Sequence, residues 1–573
     1  MRKYLVWSLI VILFNLSLTL LYFTGNTPFS TAGFVLLALV FFVLSLKYPR
    51  QMFWLFLSTL PLENIIISPP TLPFSLRPFQ LLGLILAIAL IILKIFRPAK
   101  IDFNILRPAC LRKEFWRFKL SSEAGAGRHR QEKKIGPHEK YFNPLDRLLL
   151  LLWLATILAL QNAPDKQLSL KLSLVLFSYL LLYWLVRNFL RTLKDLREGI
   201  WFFFLGSLTV VASAFYQMIG EKFAWPTLTV MAERVNATFT EPDWLGMYLV
   251  FIIALLLATK YTFKLLNSDE KGELSRRISD LRIFNIPAVR VGEWLLNLFL
   301  ALVFIILLAT VSRSAWLSVL AVFLAYGAIL FFRKNRKEFW QESLNFLLIM
   351  LFTFFILKLF HLSSFHLSNR AASSVTGLQK ITVSCQLSDF TNELPAGATI
   401  KNLSELKKFG CRHINLEEIS AERERGHLIK EVFRPDPNIN LRWKIYRLSW
   451  QNIKKHRLFG QGLGSSGFIL GNDSLGHRYN TSNIFLEVWL STGLFGLLLF
   501  TLLFLTPLVI ASKILLSPAK SKKKNEVVAT YFLLTFLAIL IPNLFNSGFF
   551  LAFFWVWLAT VIGYLSLDKS QKS

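Results

Sequence analysis

The chain has 573 residues, of which 54% are hydrophobic and 17% charged, with 54 Phe, 16 Trp and a mean hydropathy of +0.50. These proportions exclude a soluble globular enzyme and a disordered chain, and they describe a polytopic membrane protein. Lys and Arg (64) exceed Asp and Glu (34) to give a net charge of +30; in a soluble chain that balance would suggest nucleic acid, but here the charge lies between apolar runs and no nucleic-acid partner is expected.

A helix needs about 20 mostly apolar residues to cross a bilayer core. About fourteen runs qualify, at 4–24, 31–46, 52–68, 80–96, 148–160, 168–186, 200–219, 244–263, 294–311, 314–332, 344–361, 484–510, 528–544 and 549–567. The second, third and fifth are the weakest, and losing one weak pair would leave twelve spans in the same orientation. The expected fold is all-α: a polytopic transmembrane helix bundle of about 12 to 14 spans.

Arg2 and Lys3 precede the first run and no small-residue cleavage site follows it, which reads as an uncleaved anchor with a cytoplasmic N-terminus. Alternation then places 47–50, 97–147, 187–198, 264–290, 333–342 and 513–524 on the cytoplasmic side, with the C-terminus. Every one is rich in Lys and Arg, the second carrying 13 basic and six acidic residues, as the positive-inside rule requires. One outward connection is long, at 362–483, and long translocated loops escape that rule. Within it, 370–437 is polar with little sustained periodicity and reads as either a small external subdomain or a partly disordered insertion. Residues 441–458 interleave Trp443, Tyr446 and Trp450 with Arg442, Lys444, Arg447, Lys454, Lys455 and Arg457, as a basic helix on the membrane surface would. Cys110 is expected inside as a free thiol. Cys385 and Cys411 share the outer loop, where a disulfide is permitted but not dictated by sequence.

Charged residues at membrane depth are costly unless they snorkel or face the protein interior. Lys94, Lys171 and Lys358 fit the first description, and Glu63 and Asn64, beside Pro61, fit the second. Three outward clusters stand apart. The first, RVNATFTEPDWLGMYL at 234–249, carries Arg234, Asn236, Glu241 and Asp243 directly into an apolar helix; its plainer reading is a polar loop with Asp243 as helix N-cap. The second, TVSRSAW at 310–316, makes Ser312 and Arg313 the whole connection between two spans, on the face where basic residues are scarce. The third runs from Arg442 through the glycine turn at 460–464 to His477, Asn480, Asn483 and Glu487. Arginine suits a diphosphate because its planar fork donates two parallel hydrogen bonds and stays charged. No His/Cys cluster has zinc spacing, no phosphate-loop or dinucleotide fingerprint occurs, and no outward DxD-like pair is present. The expectation is an anionic lipid headgroup as ligand, with no metal and no cofactor.

At these clusters the chain resembles the O-antigen ligase and polymerase superfamily. Residues 234–249 are similar to that family's R-x-x-G-T-F-x-x-P-N-x-x-A-x-x-L loop, with Ala237 and Asp243 in place of Gly and Asn. Residues 310–316 resemble T-x-S-R-G-A-W, with Ser314 in place of Gly. The stretch 442–464 resembles its arginine–tryptophan segment and the glycine turn after it, with Leu458 where Pro is usual. Residues 482–487 and 492–496 resemble its H-N-x-x-L-E and E-T-G-x-x-G segments, with Ser482 in place of His. The resemblance covers about 234–505.

The resemblance implies a bacterial cytoplasmic (inner) membrane glycosyltransferase that moves a glycan from undecaprenyl diphosphate to an acceptor hydroxyl on the outer face. Glycan, lipid and protein acceptors all remain open, as does ligase against polymerase. It divides the chain into N-terminal helices at 1–233, a ligase-like core at 234–505 and C-terminal helices at 506–573. Arg234, Arg313 and Arg442 would hold the diphosphate, with Ser482 and Asn483 in the binding site. Because Ser482 replaces the histidine thought to activate the acceptor, the base falls to His477, Glu241, Asp243 or Glu487, or the reaction relies on leaving-group stabilisation. The rival reading is a flippase or exporter of lipid-linked glycans, whose basic residues should line a cavity reachable from both faces; a membrane scaffold with an external binding loop is a third.

Overall fold

The computed structural model describes every residue except 1, 73, 97–143, 191, 221–222, 224, 231–233, 268–288, 334–335, 360–371, 374–375, 387–393, 396, 415–417, 472–478, 517–522 and 573. Cys110 and His477 lie outside the described residues. In chain order the helices and strands are α1 (Arg2–Phe23), α2 (Thr31–Lys47), α3 (Pro49–Thr59), α4 (Pro78–Phe96), α5 (Pro144–Leu158), α6 (Lys166–Phe189), α7 (Leu193–Gly220), α8 (Pro242–Asn267), α9 (Val289–Ala309), α10 (Arg313–Arg333) and α11 (Arg336–Leu359). An insertion follows with β1 (Leu378–Cys385), β2 (Cys411–His413), α12 (Ile419–Glu424), β3 (Leu428–Pro435), α13 (Pro437–Lys455) and α14 (Ser465–Leu470). The bundle closes with α15 (Ile484–Leu516), α16 (Lys523–Asn543) and α17 (Ala552–Lys572). Among the described residues ten helices are long and apolar enough to cross a membrane, and Thr31–Lys47, Glu293–Ala309 and Ala552–Tyr564 are shorter apolar helices. With α3 they match the fourteen apolar runs one for one, and the protein is a multi-pass helical bundle.

The third run departs from a plain span. Helix α3 has 11 residues, about 16 Å of rise, which is half a bilayer core. Pro61 cannot continue it, lacking an N–H and clashing with the preceding turn. The chain goes on without helix to α4, and irregular backbone at that depth survives only where protein covers it. Asn64 N donates to Thr238 O at 2.7 Å, Thr238 Oγ1 to Pro61 O at 2.7 Å and Ile67 N to Leu76 O at 2.9 Å. Helix α7 packs on the end of α3 at Gly206, where a Cβ would collide with the Ser58 carbonyl, and Trp54 stacks on Phe202 at 4.5 Å.

The ends of the helices separate by chemistry. At one end Arg50 pairs with Asp195 and, at 2.7 Å, with Glu198, which also accepts from Tyr4. Lys260 and Lys264 meet Glu342 at 2.7 and 2.8 Å, Tyr261 donates to Glu526, and Arg333 to the Leu515 carbonyl. These are the connectors expected inside, and they lock neighbouring helix ends together at the basic face. The opposite end carries all three clusters and the insertion.

The insertion is a subdomain with a three-stranded antiparallel sheet in the order β2-β1-β3. Its own small core joins Ile381, Val383, Leu394, Ile400, Leu406 and Val432. Sequence periodicity could not reveal β1: residues 381–385 are all buried, so the alternation that marks a half-buried strand is absent. Cys385 faces Cys411 across β1 and β2, and the two are bonded. Replacing both with Ser is expected to lower subdomain stability by about 3 kcal/mol on the loop-closure model and to leave the bundle inserted. Hydrogen exchange over 378–435 reads the effect; loss of the whole bundle would show that the two parts fold as one.

Glu422 of α12 ties the subdomain together. Its buried carboxylate accepts from Ser384 Oγ at 2.6 Å, His427 Nδ1 at 2.8 Å, Arg412 at 2.9 Å and Arg425 at 2.8 Å. Those hydrogen bonds, from Ser384 and His427 first, pull its pKa down to about 2 from the ordinary 4.5. The sign follows: the stabilisation is complete above about pH 4.5 and is lost as pH falls toward 2. Exchange protection of the sheet should therefore drop between pH 5 and 3 in the wild type. Glu422→Gln, whose side chain cannot titrate, should be flatter over the same range.

Helix α13 buries Ile445, Ser449 and Ile453 and exposes Trp443 (71%), Trp450 (45%), Lys444, Arg447, Lys454 and Lys455. Trp450 meets Trp489 of α15 edge-on at 5.4 Å, so the basic aromatic face lies beside a helix whose outer surface is apolar, as expected of a surface helix.

Candidate functional site

The first cluster is built around a buried amide. Gln217 of α7 accepts from Asn236 N at 3.1 Å and Ala237 N at 2.7 Å and donates to Thr227 O at 3.1 Å. It holds Ala237 at φ +47°, a left-handed conformation that favours glycine, which explains a glycine at this place in the resembled motif. The turn delivers Arg234 and the first turn of α8. Arg234 is 9% exposed; its Nε donates to Thr310 O at 2.9 Å and its Nη2 to Asp243 Oδ1 at 3.1 Å. Asp243 keeps 36% of its side chain exposed, and Glu241, one residue before α8, is half-buried.

Arg234 thereby joins the first cluster to the second. Val311 sits at φ +54°, rare for a β-branched residue, and this kink lets α10 begin at Arg313. Gly246 of α8 lies against Ser312 and Ala315 so closely that a Cβ would come to 2.9 Å from the Ala315 Cβ. Arg313 Nη1 donates to Asp436 Oδ2 at 2.9 Å and approaches Ser373 Oγ at 3.4 Å.

The third cluster docks on the loop between α16 and α17. Arg442 donates to Phe545 O at 3.3 Å, with its guanidinium 5.6 Å from the Phe545 ring centroid. Asn480 reaches Asn546 Oδ1 at 3.3 Å. Asn483 donates to Leu544 O at 3.2 Å and caps α15 by accepting from Phe485 N and Leu486 N. Ser482 stands at φ +52° with its N–H on Asn480 Oδ1. Gly548, in the same loop, is tight against Met247 of α8, one turn below Asp243. The start of α8 thus packs on both the Arg313 turn and the 544–548 loop, which accepts hydrogen bonds from Arg442, Asn480 and Asn483.

Two expected contributors are held inside the protein by hydrogen bonds. Glu487 is 6% exposed and accepts from Ser466 Oγ at 3.1 Å and from Thr481 N and Oγ1 at 3.2 and 2.9 Å, so it pins the loop preceding α15. The glycine turn wedges under a break in α15 at Gly493 (φ +71°), with Gln461 N on Leu490 O, Gly462 N on Ser491 O and Leu494 N on Arg457 O.

Three contributors were missed in the sequence. Asp436, 3% exposed, lies between two prolines in a polar stretch and gave no periodic signal. Gln217 looks like an ordinary polar residue in a span. The 544–548 loop acts through backbone carbonyls, which no motif records. Glu63, noticed but unassigned, is 1% exposed, pairs with Arg77 at 3.5 Å and accepts from Ala552 N at 3.2 Å, so it caps α17 just after that loop. Among the described residues no three His, Cys, Asp or Glu are grouped to hold a metal.

No curated protein matches the chain. Residues 298–501 match the family described as O-antigen ligase, a stretch that contains Arg313, Asp436, Arg442, Ser482, Asn483 and Glu487 together with the whole insertion. Set among the apolar spans, residues 298–501 thus form a stretch similar to the O-antigen ligase family within a multi-pass membrane protein.

Proposed function

We propose that the protein transfers a glycan from an undecaprenyl-diphosphate-linked donor to an acceptor hydroxyl on the outer face of the bacterial cytoplasmic membrane, with inversion and without a divalent metal. The observation that carries this reading is the gathering of Arg234, Arg313 and Arg442 at the end of the bundle opposite the basic connectors. Both termini then lie on the cytoplasmic side by the positive-inside rule. A flippase would need its cations reachable from both faces, whereas these three lie at one.

In this mechanism the donor's diphosphate lies against the three guanidinium groups. The acceptor oxygen attacks the anomeric carbon from the face opposite the diphosphate, and the bond from that carbon to the diphosphate oxygen breaks. The bonding pair leaves with the lipid diphosphate, whose added negative charge the fixed arginines stabilise where it develops. Asp243 takes the acceptor proton: it is a half-exposed carboxylate on a rigid helix start, whereas Glu487 would have to give up three hydrogen bonds. Ser482 and Asn483 would contribute from the segment before α15, which docks on the 544–548 loop.

The test is purified protein in proteoliposomes with a polyprenyl-diphosphate-linked oligosaccharide and a candidate acceptor, in EDTA. The expected result is a covalent glycan–acceptor product with release of lipid diphosphate. Donor translocated intact, with no bond broken, would overturn the reading in favour of a flippase.

A further inference from the structure

We infer that Asp436 is a positioning residue for the transfer: together with Ser373 it holds the Arg313 guanidinium from the neck of the insertion, so that the outer subdomain is a working part of the diphosphate site. The inference rests on the proposed function and adds a residue and a reason for the insertion.

The chain enters the sheet just after Ser373 and leaves it at Asp436, and the two crossings are tied together. Gly377 N donates to Ser373 O at 3.0 Å, and Asp436 N donates to Gly377 O at 2.8 Å. Pro435 and Pro437 flank Asp436 and restrict its backbone and that of its neighbour. The disulfide and the sheet make the element above the neck stiff. One guanidinium nitrogen, Arg313 Nη1, reaches both crossings: Asp436 Oδ2 at 2.9 Å and Ser373 Oγ at 3.4 Å.

The exposures are unequal, 27% for the Arg313 side chain and 2% for Asp436. A carboxylate buried that far cannot turn to water and keeps its cationic partner, while the arginine side chain stays partly exposed. The pair therefore fixes the direction of the guanidinium plane before a ligand arrives, in the way that outer-shell partners orient the groups they touch. Arg313 begins a helix after the strained Val311 turn, so its backbone end is fixed too. A diphosphate arriving at this partly exposed side chain would find the arginine already aimed.

The experiment is a double-mutant cycle on turnover in proteoliposomes, with hydrogen exchange over 378–435 as the folding control. Asp436→Ala should lower kcat about 10- to 100-fold, by analogy with removing an outer-shell orienting group. Asp436→Asn, which keeps an oxygen for Arg313 Nη1, should recover most of that loss. In an Arg313→Lys background Asp436→Ala should cost less than about twofold, because the group it orients has gone. A full loss in both backgrounds, or none in the wild type, overturns the inference and leaves the proposed function standing. If Arg313→Lys is itself silent, Arg313 does not hold the diphosphate, which is left to Arg234 and Arg442, and the inference falls. Where Asp436→Ala unfolds the neck, Ser373→Ala replaces it: a few-fold loss seen only with Arg313 present supports the inference, and no loss or an additive one overturns it.

Discussion

Arg313→Lys is expected to lower turnover about 10²- to 10³-fold, or roughly 2 to 4 kcal/mol of transition-state stabilisation, in a protein that still inserts and folds. Lysine keeps the charge, so nothing in the outward electrostatics or in either flanking helix changes. What it loses is the fork. The Arg313 guanidinium meets Asp436 and Ser373 through one nitrogen on a side chain that stays partly exposed, whereas an ammonium is a compact point charge that cannot hold Asp436 and present two parallel donors to a phosphate. A lysine drawn to the buried carboxylate would leave the diphosphate unattended, and one drawn to the diphosphate would leave Asp436 buried without its partner. Arg313→Ala should be slower still and should also weaken donor binding. Steady-state rates with donor binding measured separately decide the matter. A Lys variant with wild-type turnover would leave the diphosphate to Arg234 and Arg442 and reduce Arg313 to a clasp on the neck.

The sequence revealed what depends on patterns along the chain and hid what depends on contacts across it. Fourteen apolar runs and six basic connectors were legible because lipid demands long apolar stretches and charge is distributed by side. The break after Thr59 was half legible: Pro61, Glu63 and Asn64 marked a polar interruption, but that Thr238 and Ala552 would satisfy it lay hundreds of residues away. Strand β1 was invisible because both of its faces are covered. Asp436 was invisible for another reason: an aspartate between prolines in a polar loop looks like a turn, and only the fold brings it to Arg313. The motif departures acquire physical content in the same way. Ala237 occupies a left-handed position where glycine would be relaxed, so Ala237→Gly is structurally tolerable, whereas Asp243 and Ser482 change the functional group that stands at their positions.

Those two departures belong together, and they set the second large effect. At the motif positions where the family has Asn and His, this chain has Asp and Ser, so a carboxylate is gained where an imidazole is lost. Asp243 stands on the first turn of α8 beside Arg234, and Met247, one turn below, packs on Gly548 of the loop that receives Asn480 and Asn483 on either side of Ser482. The two positions thus lie on elements that meet at the 544–548 loop, at the same end of the bundle. Asp243→Asn restores the family residue and should nevertheless lower kcat about 10²- to 10⁴-fold, the range a general base contributes, with donor binding kept because Asn still offers Arg234 an oxygen. Adding Ser482→His should return part of that rate, since Ser482 stands in the left-handed region that His accepts better than most side chains. The double variant should also gain a pH profile with a rising limb near the imidazole range, as its base would be lost to protonation below about pH 6.5. His477→Ala should leave the wild-type rate nearly unchanged. If His477→Ala alone abolishes turnover while Asp243→Asn is active, the imidazole has moved five residues along the chain and Asp243 only steadies Arg234.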